Sequence, residues 1–209
     1  MPKVQPFENH TLRYDNWFAR NEYIYQSEVL AVQAQIPRNG QGIEIGIGTG
    51  RFAVPLNIQW GLDPSKKMLK LAKQRGLETV EGIAERLPFH EACFNFALMV
   101  TTLCFLDSVG AAFHEIYRIL KPSGHFLVGF IDKNSALGKR YQQNKISNVF
   151  YDIATFYSVD EVIFHLKETG FQIFHVSQTI FHDLIEIKNI EPIKPGYGEG
   201  AFVVIDAKK

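Results

Sequence analysis

Short apolar runs alternate with helical spacings along most of the chain, and this alternation points to a fold before any single residue is weighed. Residues 42–45, 59–62, 77–80, 95–100 and 126–131 are compact apolar runs of strand length. Between them, apolar positions recur at intervals of three and four. Met68, Leu69, Leu71 and Ala72 make one broad face after Asp63-Pro-Ser65, where Ser65 can cap a helix and Gly76 can end it. Val109, Ala112, Phe113, Ile116 and Leu120 make another, stopped by Lys121-Pro-Ser-Gly124. A brief helix is expected through 51–56. Strands buried on both faces and joined by helices require a parallel sheet with right-handed crossovers, the doubly wound class.

The two ends read differently. Residues 9–35 suggest two helices broken near Arg20, with Leu12, Trp17, Phe18, Ile24, Val29 and Val32 among polar residues. Residues 135–148 form a polar helical stretch that can cover the open edge of a cleft. Ser158-Val-Asp-Glu161 has capping-box spacing and opens a helix to Gly170, after which 171–179 and 201–205 are two more strands, the last antiparallel. The expectation is one α/β domain: a doubly wound, mostly parallel, seven-stranded sheet with helices on both faces. Its parts are an N-terminal helical lid at 1–36, a core at 37–131, an insertion at 132–157 and a C-terminal helix and strands at 158–209.

Composition narrows the class. The chain has 209 residues, 22 Lys+Arg against 22 Asp+Glu, and 46% hydrophobic residues, which excludes disordered and fibrous chains and allows a core that needs no disulfide. Cys93 and Cys104 are too few for a disulfide framework and lack the paired spacing of a zinc site, so a reducing, cytoplasmic setting is expected. Residues 1–10 hold no apolar export segment, and the longest apolar runs are too short to span a bilayer. Balanced, interspersed charge argues against gripping a nucleic-acid backbone. The seven histidines show no helical ligand spacing with a carboxylate between, so no metal site is expected.

The most informative stretch is Glu44-Ile-Gly46-Ile-Gly48-Thr-Gly50-Arg-Phe, a glycine loop directly after a strand. Glycines there permit close approach of a ligand to the backbone, and a doubly wound sheet puts its crevice at that end of the strands. A dinucleotide fingerprint would want its third glycine where Arg51 stands, and no Lys-Ser or Lys-Thr follows for a nucleoside triphosphate. Glu44 would repel a pyrophosphate but accept hydrogen bonds from an ammonium group. An amino-acid-bearing ligand follows from that asymmetry.

Over residues 40–129 the sequence resembles the class I S-adenosylmethionine-dependent methyltransferases, most closely the small type-11, UbiE-like group. Besides the loop, the resemblance rests on Asp63 at the end of a strand, on Gly82-Ile-Ala-Glu85-Arg-Leu-Pro88-Phe89, on residues 94–102, and on the 114–124 stretch ending Lys121-Pro-Ser-Gly124. It implies S-adenosylmethionine as cofactor, bound by Glu44, Gly46, Gly48, Gly50, Asp63, Pro64, Met68, Ala84, Glu85 and Thr101, with Asp63 on the ribose hydroxyls. Ile83 stands where the family often carries an acidic residue on the adenine, so the backbone, Glu85 or a water must serve there.

The reaction so implied is an in-line displacement, in which alignment of the partners does most of the work and a general base is optional. The acceptor, expected to be a small molecule such as an amine or a hydroxyl compound, falls to the segments 7–25 and 135–157 and the loop at Tyr197. Phe7, Tyr14, Trp17, Phe18, Tyr23 and Tyr25 can form a lid or a partial cage for a cation, although such a stripe more often packs as core. His10, Tyr14 and Tyr197 are the candidates for acid, base or acceptor contact. Cys104 lacks the preceding proline of pyrimidine C5 methyltransferases, and residues 100–103 lack the Asn/Asp-Pro-Pro-aromatic motif used on exocyclic base amines. A protein or RNA methyltransferase, a binding protein without turnover and a nicotinamide oxidoreductase are the rival readings.

Overall fold

The computed structural model describes residues 3–209, the side chain of Ser147 excepted; Met1 and Pro2 of the expected lid lie outside the described residues. The strands are β1 (Gly42–Ile45), β2 (Trp60–Asp63), β3 (Glu78–Glu81), β4 (Phe94–Val100), β5 (Leu120–Ile131), β6 (Gln172–Thr179), β7 (Lys194–Pro195) and β8 (Phe202–Lys208). They form one sheet in the order β3-β2-β1-β4-β5-β8-β6-β7. β1 pairs in parallel with both β2 and β4, so the winding reverses there and a crevice opens beyond the carboxyl ends of β1 and β4.

The sheet has eight strands where seven were expected. The additional one is the two-residue β7, antiparallel to β6. Pro195 has no N–H to donate, which suits only an edge position. β8 is antiparallel as expected but lies inside the sheet, between β5 and β6.

Alternation along the strands divides the core. On β8, Val203, Ile205 and Ala207 face one apolar cluster while Phe202 and Val204 face the other. On β4, Phe94 and Phe96 point to opposite clusters although two residues apart, because the register with β5 shifts between them. The first cluster is closed by α5 (Val109–Ile119) and α7 (Val159–Thr169), the second by α3 (Glu22–Gln33) and α4 (Lys66–Gln74). Ser65 caps α4 through Met68 N–H at 3.3 Å, and Ser158 with Glu161 completes the expected capping box on α7.

Two local expectations, on residues 51–56 and on the insertion, need correction. No helix forms through 51–56: Val54 N–H bonds to Gly50 and Leu56 N–H to Phe52, but Pro55 between them has no N–H, and the stretch stays a series of turns. The two helices expected over 9–35 form as α2 (Thr11–Arg20) and α3, broken at Asn21, and a short helix, α1 (Gln5–Asn9), precedes them and ends at His10. In the insertion, α6 (Ala136–Gln143) is capped by Ser135 but stops at Asn144, and two 3-10 turns, Lys145–Ser147 and Tyr151–Ile153, follow. Among the described residues no helix is long and apolar enough to cross a membrane.

Candidate functional site

Between β1 and the turns that follow, the chain passes through three glycines with positive φ: +78° at Gly46, +52° at Gly48 and +83° at Gly50. Their surroundings separate their roles. A Cβ on Gly46 would stand 2.2 Å from the Thr102 side chain, and one on Gly50 would stand 2.4 Å from Leu77. On Gly48 the nearest atoms are those of the Tyr14 ring at 3.6 Å, an ordinary van der Waals contact, so a Cβ there would meet no clash. Gly46 and Ile47 both donate to the Leu62 carbonyl, at 2.7 and 3.0 Å, which ties the loop to the end of β2.

Asp63 finishes that tie. Its Oδ2 accepts from Gly48 N–H at 2.9 Å and its Oδ1 from Ser65 N–H at 2.8 Å. Each oxygen keeps a second lone pair for a ligand hydroxyl. Burial pushes the carboxyl up to about 6, against the two N–H groups that favour its charge, with Glu8 nearby adding to the rise. Glu44 is 2% exposed, and its Oε2 has no hydrogen-bond partner. Burial holds its pKa well above the usual range, the Ala53 N–H offsetting this in part and Asp63 adding to it.

A cavity of about 560 Å³ opens at this point. Gly46, Gly48, Asp63, Pro64, Met68, Ala84, Glu85 and Thr101 all line it, whereas Glu44 and Gly50 sit behind the lining. The Glu85 carboxylate reaches across to accept from Asp107 and Ser108 N–H, at 2.8 and 3.3 Å. Thr101 ends β4 at φ +49°, a conformation that a β-branched residue adopts only under strain. Beyond these residues the wall is aromatic. Phe7 packs edge-on against Tyr14 and Phe105 at 5.8 and 4.9 Å, and against Phe150 of the insertion at 5.3 Å.

The lid is held down by charge. Asp15 Oδ1 accepts from Thr49 Oγ1 at 2.7 Å and Arg51 Nε at 2.9 Å, and Oδ2 from Arg51 Nη2 at 2.7 Å and Arg75 Nη2 at 2.8 Å. Burial works against the charge, but the bonds from Arg51, Arg75 and Thr49 outweigh it and hold Asp15 well below the usual carboxylate range. This clamp joins α2 to the glycine loop. Arg51, at the position that departs from the dinucleotide pattern, thus serves to fix the lid.

Of the three acid–base candidates, Tyr14 lies in the cavity with its hydroxyl toward Thr101; burial, with Glu44, Asp63 and Glu28 nearby, drives its pKa far up and keeps it neutral. His10 is half-buried beside Phe150, ring centroids 6.3 Å apart, and is not part of the lining. Tyr197 stands outside the cavity on a glycine-rich turn and donates to Asp160 at 2.9 Å. Trp17 and Phe18 face both core and cavity, but Tyr23 is exposed and Tyr25 is committed to the Arg51 carbonyl, so neither belongs to the expected cage. Cys104 lines the cavity as an inert thiol, pushed up to about 12 by burial.

Sequence reasoning missed Asp15, Arg75, Thr102 and Glu28. The last carried a readable signal: Ile24, Ser27, Glu28 and Ala31 lie on one buried helical face, so a carboxylate there stands inside. Among the described residues no group of His, Cys, Asp and Glu could hold a metal ion.

Residues 43–128 match a family of methyltransferase domains. An uncharacterised protein of Methanocaldococcus jannaschii is 44% identical over 203 residues, 97% of this chain and 98% of its own. A demethylmenaquinone methyltransferase of Chlorobaculum tepidum is 25% identical over 65% of this chain and 59% of its own. A crystal structure of an S-adenosylmethionine-dependent methyltransferase from Thermotoga maritima, described as a possible histamine N-methyltransferase, superposes with a TM-score of 0.96 at 47% identity, covering 99% of each chain.

Proposed function

Since the chain belongs to the S-adenosylmethionine-dependent methyltransferases of the type-11 group, we propose that it methylates a small molecule held in the aromatic half of its cavity. The observation that carries this reading is the enclosure. The walls opposite the glycine loop come from α1, α2 and the insertion and are largely aromatic, with Lys3, Arg13 and Arg20 among them. A cavity of about 560 Å³ suits a nucleoside-sized cofactor and a compact acceptor better than a polymer. The description of the Thermotoga protein supports an amine among the acceptors considered.

The residues present fit the cofactor. Gly46 and Gly48 line the cavity with backbone, Asp63 keeps lone pairs for the ribose hydroxyls, and the orphaned Oε2 of Glu44, behind the lining, can serve an ammonium group through a bridging water. Ala84 and Ile83 offer an apolar slot for the adenine. When bound, S-adenosylmethionine supplies a methyl group already activated on a sulfonium. The protein's own share is orientation and exclusion of water, worth up to about 7–11 kcal/mol in the best intramolecular cases. Phe7, Phe105 and Phe150 close the wet side of the cavity, while neutral Tyr14 and strained Thr101 hold one another at the end of β4.

Calorimetric titration with S-adenosylmethionine, S-adenosylhomocysteine and NAD in parallel tests the cofactor half, and a screen of small amines and phenols with mass spectrometric detection tests the acceptor half. Response to the first two, silence toward NAD and a product 14 Da heavier is the expected result. Binding without turnover on any small acceptor would sink the small-molecule reading.

A further inference from the structure

Glu28 is a carboxyl group that the cavity wall contains and nothing in the protein satisfies. It sits on the buried face of α3, is 5% exposed, and lines the cavity. No hydrogen bond or ion pair reaches it from any described residue. Three phenols line the same cavity: Tyr14 from α2, Tyr141 from α6 and Tyr151 from the second of the 3-10 turns that follow the insertion helix. All three are held neutral by burial, so none of them balances a carboxylate there. Tyr141 and Tyr151 lie with ring centroids 4.5 Å apart, and Phe18 closes the side toward Tyr14 at 5.3 Å.

An unsatisfied buried carboxyl is costly and rare in a folded protein unless something outside the chain completes it. The chemistry around this one specifies what that is. Ring faces attract cations, and a carboxylate among them gives the charge a definite end point. A neutral hydroxyl meets the protonated carboxyl as an ordinary hydrogen-bond partner, whereas a cation gains in addition from its ionisation and an anion opposes it. Arg51 and Arg75 are both committed to Asp15; Lys3, Arg13 and Arg20 line the same cavity, and none of them shares a hydrogen bond or ion pair with Glu28 among the described residues.

We propose that Glu28 anchors the acceptor subsite, and that the acceptor is a small protonated amine carried on a flat apolar body, its ammonium on Glu28 and its body against Tyr14, Tyr141 and Tyr151. The inference rests on the small-molecule methyltransfer reading above and adds the class of molecule and the residue that selects it. It carries a signature that packing alone would not give. Burial pushes the empty-site carboxyl up to about 8, so at pH 7 it is mostly protonated, and an arriving ammonium must displace that proton.

The test uses the full chain saturated with S-adenosylhomocysteine and titrated calorimetrically at pH 7, in two buffers of different ionisation enthalpy. The probes are 2-phenylethylamine, tryptamine and the neutral isostere 2-phenylethanol. An amine is expected to bind at least tenfold more tightly than the alcohol and to release close to one proton per molecule bound. Glu28→Gln should lose tenfold or more in amine affinity and all of the proton release, while binding S-adenosylhomocysteine within twofold of the wild type. Equal amine affinity in the variant, equal affinity for amine and alcohol, or no binding of either amine to the loaded protein would each overturn the proposal. The discrimination and the proton release are read on the wild type, so a variant that fails to fold does not protect it. Failure of S-adenosylhomocysteine itself to bind the wild type would instead overturn the methyltransfer reading, and this one with it.

Discussion

Replacing Glu28 by glutamine in the ligand-free protein removes a titration that the fold makes unfavourable, and the pH dependence of stability shows how unfavourable. In the unfolded chain the carboxyl ionises near 4.5; in the fold, burial raises it to about 8. Below the first value it is neutral in both states and has no effect on stability. Between the two values the unfolded chain has lost the proton and the folded one keeps it, so stability falls as pH rises and levels off above 8. The full span corresponds to on the order of 5 kcal/mol, and the part between pH 5 and 7.5 to about 3 kcal/mol, a large share of the 5–15 kcal/mol by which domains are usually stable. Asp63 and Glu44 are also raised, so the quantity to measure is the difference between wild type and Glu28→Gln, in which their contributions cancel. Urea unfolding followed by fluorescence of Trp17 and Trp60, at half-unit steps from pH 5 to 8.5, gives that difference. It should grow in favour of the variant by about 4 kcal/mol over this wider range. A difference that stays flat with pH would mean that Glu28 ionises normally, and the argument from its isolation would fail.

Three further substitutions test the rest of the site. Asp63→Ala should weaken S-adenosylhomocysteine binding by roughly 1.5–3 kcal/mol, the scale of hydrogen bonds to a charged group, and wild-type affinity should fall as pH drops through about 6, where the carboxylate is protonated. Calorimetry reads both, and unchanged affinity would remove Asp63 from the ribose. Asp15→Ala strands Arg51 and Arg75; because both guanidiniums are partly solvated the expected loss is about 2–3 kcal/mol rather than the full cost of a buried orphan, and a loss under about 0.5 kcal/mol by urea unfolding would show that the clamp is idle. Gly46→Ala should cost more than about 2 kcal/mol, since its Cβ meets Thr102 as well as an unfavourable φ, while Gly48→Ala should cost only about 1 kcal/mol for the φ alone. Equal costs at the two positions, measured by thermal unfolding, would contradict the distinction between a glycine whose Cβ would clash and one whose Cβ would not.

The parts of the fold that the sequence made legible are those where one local rule decides. The apolar runs at 42–45 and 95–100 could only be buried strands, and Ser65 and Ser158 cap helices through hydrogen bonds three residues away. Pro55 shows the opposite case: apolar spacing suggested a helix, and one missing N–H prevented it. Placement of Gly46, Gly48 and Asp63 around one cavity followed from their position at strand ends, which topology converts into proximity. Tyr197 and His10 could not be placed in that way, because each belongs to a loop or helix end whose direction is set by contacts far away in sequence. The Asp15 clamp was invisible for the same reason, with 36 residues to Arg51 and 60 to Arg75.

Asp15 and Glu28 show how similar chemistry is put to opposite uses on neighbouring helices. Asp15 meets two guanidiniums and a hydroxyl, so its charge is favoured and it fastens α2 over the glycine loop. Glu28, on α3, has no such partner among the described residues, so burial disfavours its charge until a cation arrives. Tyr14 connects the two: it precedes Asp15 by one residue, rests on Gly48, turns its hydroxyl to Thr101 and lines the same cavity as Glu28. A shift of α2 that loosens Asp15 must therefore move the ring that separates the cofactor loop from the proposed amine subsite. The lid, in this account, sets the distance between donor and acceptor, which is the quantity on which an in-line transfer most depends.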